Sequence, residues 1–135
     1  MNLLDEVVAI TRKVQEEKNT EKERQEALIL KEINEAVLNE YPELIRRAEL
    51  EIRSSAFKGE VSCIIIVSRE RWDPSSDNIK YRIAKKLGVR LLDWLEENGF
   101  SDIDNISTTR ENRKGGADQS FITESFTVVS IKVCW

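Results

Sequence analysis

Leu3, Val7, Ile10 and Val14 recur at spacings of four, three and four, with Leu4, Val8 and Thr11 beside them. That periodicity predicts an amphipathic helix over residues 3–17. Asn19-Thr20 offers a break and a new N-cap, with Glu23 three residues after Thr20 in the manner of a capping box. A second helix over 21–41 follows, its stripe made of Ile29, Ile33, Val37 and Tyr41. Pro42 disfavours helical geometry at Tyr41 and suits the first turn of a third helix. Leu44, Ile45, Ala48 and Ile52 carry that helix to Phe57, so the join reads as a kink or short break.

Gly59 closes the helical region, and the pattern changes period. VSCIIIVS at 61–68 is β-branched and apolar on both faces, as a central strand covered on both sides requires. A polar connection over 69–78 contains Trp72 and Pro74. Ser76 or Asp77 then caps a helix ending at Asn98, with Ile79, Ile83, Leu87, Leu91, Trp94 and Leu95 on its inner face. Asn98-Gly99-Phe100 ends it: Gly accepts the left-handed conformation, and Phe100 folds back on the last turn. Ile103 and Ile106 mark a weaker strand, and 110–119 is a polar loop around Gly115-Gly116. Val129, Ile131, Val133 and Trp135 alternate with Ser130, Lys132 and Cys134, a half-buried strand. The run from Phe121 is long for one strand, which predicts a bulge near Glu124-Ser125.

These elements define an α+β chain: a helical amino-terminal region over 1–58, serving packing or oligomerisation, then a β-α-β-β domain over 59–135 with a small three-stranded mixed sheet. The first helix has no evident seat within the chain. An apolar stripe without one is commonly buried by another subunit, so a homo-oligomer is expected. The segment EEKNTEKERQE at 16–26 does not extend the stripe into a coiled coil, because apolar residues lapse between Val14 and Ala27.

Composition narrows the chemistry. The 135 residues, 40% of them hydrophobic and 34% charged, suffice for one core under a well-solvated surface. Histidine is absent, which removes Ser-His-Asp and Cys-His arrangements, imidazole metal sites and imidazole proton transfer. The net charge of −4 gives no bulk attraction to nucleic acid. Residues 1–60 hold 10 basic and 14 acidic side chains against 11 and 11 in 61–135, so the excess acid is all in the first half. Cys63 and Cys134 are too few for a disulfide framework and sit in apolar runs, as buried reduced thiols do. Asp5 and Glu6 interrupt any signal-peptide pattern, and the apolar run over 64–67 is too short to cross a bilayer. A cytoplasmic protein is expected.

Three segments carry candidate contacts. Lys80, Arg82, Lys85, Lys86 and Arg90 place five cations at the start of one helix with no acid before Asp93. Such a face can track a phosphate backbone, although cations there oppose the helix dipole. Arg110, Arg113 and Lys114 with two glycines can surround an anion, without the spacing of a nucleotide-binding P-loop. Arg69, Arg71 and Trp72 lie where the first strand ends, and Arg with Trp is a typical contact-surface pairing. Asp73 with Asp77 and Asp102 with Asp104 are the carboxylate pairs able to hold a divalent cation. Neither has a third ligand nearby, and Ser75, Ser76 and the cysteines have no adjacent base. No catalytic residue, metal ligand or cofactor is assigned.

LEENGF at 95–100 and VSIKVCW at 129–135, closing a β-α-β-β unit, resemble small α+β accessory proteins of bacteriophages and mobile elements. The resemblance implies an accessory protein that binds a host or defence component or a signalling molecule. The clustered Arg and Trp side chains, beside an absent catalytic apparatus, mark Arg69, Arg71, Trp72, Arg110, Arg113 and Lys114 as the contact surface of a non-catalytic protein that sequesters or inhibits a host or defence component or a small anionic ligand. The alternative is nucleic-acid binding through the basic face at 80–90.

Overall fold

A computed structural model describes residues 2–71, 78–115 and 121–135, with the backbone alone for 112–115 and 121–125. It is α+β, with two helices and four strands in the order α1 (Leu3–Phe57), β1 (Ser62–Arg71), α2 (Ile79–Glu97), β2 (Asp102–Ile103), β3 (Ser107–Gly115) and β4 (Phe121–Cys134). Among the described residues no helix is long and apolar enough to cross a membrane.

The three expected amino-terminal helices are one. Asn2 caps it, its Oδ1 accepting from the Asp5 amide at 2.9 Å. Thr20 does not cap a second helix: its hydroxyl donates to the Glu16 carbonyl at 2.9 Å, as Thr11 donates to Val7. A threonine satisfied by the carbonyl four residues back lies within a helix. Pro42 also sits inside α1. The turn that follows is held by Arg46, whose guanidinium donates twice to the Glu43 carboxylate, at 2.9 and 2.6 Å. Buried Val37, Leu44, Ala48 and Ser55, with half-buried Tyr41 and Ile52, keep one stripe in phase on both sides of the proline. Packing along that stripe outweighs the local preference of Tyr41 to leave the helix.

The chain divides into two compact units, Met1–Asn34 and Glu35–Trp135. In the first, every residue from Asn2 to Leu28 is exposed. The second contains the sheet. Strand β4 is central, with β1 antiparallel on one side and β2 and β3 antiparallel on the other. The sheet is therefore four-stranded and antiparallel where a three-stranded mixed one was expected. The strand expected at Ile103 and Ile106 is replaced by β2 and β3 with Ile106 between them, and Arg110 to Gly115, expected as a loop, extend β3 along β4. The bulge falls at Thr123, which the pairing skips between Arg113↔Glu124 and Lys114↔Ile122.

VSCIIIVS is an edge strand. Among the described residues it pairs with β4 alone, and it buries one face, Cys63, Ile65 and Val67. Ile64, on the other face, is 59% exposed. The buried face meets Val129, Ile131 and Val133 of β4, Ala84, Leu87, Leu91 and Leu95 of α2, and Leu44 and Ala48 of α1 to form the core. Both helices lie on this face: Ser55 of α1 hydrogen-bonds the Cys63 thiol, and the Tyr81 hydroxyl of α2 lies 3.2 Å from that of Thr108. Asn78, rather than Ser76 or Asp77, caps α2, accepting from the Lys80 amide at 2.8 Å. At its other end Gly99 has φ +92°, and the Phe100 amide donates to Leu95 at 3.0 Å, closing the helix as the sequence predicts. Phe100 then meets Trp135 edge to face, centroids 6.4 Å apart.

Candidate functional site

Two candidate segments that lie far apart in sequence converge on one end of the sheet. Arg69, Glu70 and Arg71 of β1 stand opposite Val128, Thr127 and Phe126 of β4. On the other side of β4, Thr109, Arg110 and Glu111 of β3 stand opposite the same three residues. Side chains alternate between faces. Arg69, Arg71 and Glu111 therefore share the face of Val128 and half-buried Phe126, away from the helices, while Glu70 and Arg110 share the helix face with Thr127.

The charges at this end engage each other. Arg69 Nη2 lies 3.2 Å from Glu111 Oε2, with side-chain exposures of 43% and 37%. On the helix face, Lys80 Nζ lies 3.5 Å from Glu70 Oε2. Exposed pairs of this kind stabilise by about 0–1 kcal/mol, so either can open to an incoming anion at small cost. Guanidinium groups suit that exchange because a planar fork can bind carboxylate or phosphate in two-pronged fashion. Arg113 and Lys114 belong to the β3 backbone, opposite Glu124 and Ile122. Trp72, Asp73 and Asp77 lie outside the described residues.

The basic residues of α2 do not form one stripe. Lys80 turns to Glu70, Lys85 Nζ sits 4.8 Å from the Tyr81 ring centroid, and the Arg90 guanidinium lies 5.4 Å from that of Tyr41 on α1. Arg82 and Lys86 occupy adjacent turns, the first half-buried and the second exposed. The Tyr81 phenol is lowered from its ordinary value, first by its bond to Thr108 and then by Lys85.

The other reactive candidates are placed without convergence. Burial pushes the Cys63 thiol up, with the Glu51 carboxylate adding to the effect, so its thiolate is disfavoured. Cys134 is also a free thiol. Asp102 on β2 and Asp104 after it are both exposed, and the Asp104 amide donates to the Lys132 carbonyl at 2.9 Å. Among the described residues no group of three or more Cys, Asp or Glu could hold a metal ion.

Sequence reasoning overlooked Phe126 and Glu111. The signal was the length of the final alternating run, since a 14-residue central strand needs partners along its whole extent. Arg110 to Gly115 were therefore better placed in a strand than in a loop. Comparison with family models, curated proteins and solved structures finds no match for the chain.

Proposed function

We propose that this chain is a non-catalytic binding protein that holds an acidic partner surface or a small anionic ligand at the sheet end carrying Arg69, Arg71 and Glu111. The supporting observation is the strand register, which sets Arg69 and Arg71 of β1 and Glu111 of β3 on one face, on either side of Phe126 and Val128. An acidic group would displace Glu111 from Arg69 and rest beside Phe126, whose ring supplies apolar contact. Arg113, Lys114 and Trp72 join this reading from the sequence alone. The partner is a host or defence component, as the resemblance to phage and mobile-element accessory proteins implies, and the chain acts in the cytoplasm as a homo-oligomer.

Calorimetric titration with inorganic tripolyphosphate and with a glutamate-rich peptide tests the proposal. Measurable binding by the native chain, lost in the Arg69→Ala/Arg71→Ala variant, is the expected result. Equal heats for the two proteins contradict it. The alternative, a nucleic-acid face on Lys80, Arg82, Lys85, Lys86 and Arg90, predicts retention on DNA or RNA at low salt that falls steeply as salt rises. The sideways engagement of Lys80 and Arg90 weighs against it.

A further inference from the structure

Six exposed large apolar side chains lie together on the first turns of α1. Leu3, Leu4, Val7, Val8, Ile10 and Val14 are each between 43% and 73% exposed. At 100° per residue they cover about 160° of the helix circumference. We infer that this stripe pairs with the same stripe of a second copy, running antiparallel. The inference rests on the homo-oligomeric part of the proposed function and is independent of the arginine surface.

The charges select this occupant and orientation. Asp5 and Glu6 lie at the start of the stripe and Arg12 and Lys13 near its end. In an antiparallel pair centred between Val8 and Ala9, Leu3 layers against Val14 of the second copy and Val7 against Ile10, with both layers repeated by symmetry. Glu6 then flanks Lys13 of the second copy at each end. A parallel pair leaves Glu6 beside uncharged Thr11 and sets Lys13 beside Lys18, like against like. The register is also fixed. The next stripe positions are Glu17 and Glu21, so sliding by seven residues sets Val7 against Glu17 and Leu3 against Glu21. The stripe segment carries acids and bases in balance, two of each over 3–14, and no aromatic residue. That composition matches a second copy better than an anionic lipid surface, which favours basic faces with Trp or Phe.

Sedimentation velocity of the full chain tests the pairing, with circular dichroism checking that each variant stays folded. The native chain is expected to dimerise in the micromolar range and Ile10→Asp to be monomeric with unchanged helicity. Lys13→Glu is expected to weaken the dimer by on the order of tenfold, and adding Glu6→Lys to restore it. The single charge change discriminates orientation, because in a parallel pair it would tighten the dimer by setting the introduced carboxylate beside Lys18. A Lys13→Glu chain that dimerises more tightly overturns the antiparallel arrangement and leaves the oligomeric reading standing. A native chain monomeric at millimolar concentration overturns both, and so does a monomer that moves onto zwitterionic vesicles through Ile10.

Discussion

Arg69 and Glu111 form an ion pair of 3.2 Å although their strands never pair with each other; both reach it by flanking β4. The pair is exposed, so its loss changes little in stability and much in local charge. Glu111→Gln is expected to shift unfolding free energy by less than about 1 kcal/mol. It is expected to tighten tripolyphosphate binding, because the Glu111 carboxylate no longer competes for Arg69. Thermal melts and titration calorimetry on the same samples check both halves.

Gly88 marks where α2 approaches the segment between β2 and β3. A Cβ built there lies 2.9 Å from Ile106 Cδ1 and 3.2 Å from Cγ1. Alanine ordinarily favours a helix over glycine by about 1 kcal/mol. Here the end of the half-buried Ile106 side chain must move, which forfeits that gain, and Gly88→Ala is expected to change stability by less than about 1 kcal/mol. Ile106→Val, which removes the nearest atom, is expected to restore that gain, so the two changes together cost less than their sum in urea unfolding.

Cys63 gives the fold a pH dependence of defined sign. Its thiol is raised by burial, so above about pH 9 the unfolded chain has released the proton that the folded chain retains. Unfolding then becomes easier as pH rises; below that value the term is absent. Denaturant melts between pH 7 and 10.5 are expected to show a decline at the alkaline end, smaller in Cys63→Ala. Cys134, half-buried, is expected to react with a thiol reagent before Cys63 does.

The α+β class, the carboxyl end of α2 and the alternation of β4 were legible because each is set by local chemistry. Gly99 takes a left-handed conformation, and Val129, Ile131 and Val133 bury one face of a pleated strand. Misreadings arose where tertiary contacts outweigh local preference. Tyr41-Pro42 signals a break, yet the stripe from Val37 to Ser55 carries the helix through. Charged Arg110 to Lys114 look like a loop, yet their backbone groups pair with β4. Ile64 and Ile66 suggest a covered strand, yet β1 lies at an edge. Of the candidate surface, the sequence offered Arg69 and Arg71, and only the register of three strands brings Glu111 and Phe126 beside them and turns Arg110 to the opposite face.

Thr20 separates the one-helix description from a two-helix one. As an N-cap, its replacement by alanine would cost about 1 kcal/mol. Inside α1, where its hydroxyl returns to Glu16, Thr20→Ala is expected to leave helicity unchanged or raise it slightly. Far-ultraviolet circular dichroism during heating distinguishes the two.

Backbone amide shifts recorded while tripolyphosphate is added test the proposed surface most directly. The largest changes are expected at Arg69, Arg71, Glu111 and Phe126, with the α2 residues Arg82 and Lys86 nearly still. Shifts centred on α2 instead, or none at any concentration, contradict a ligand surface on the sheet.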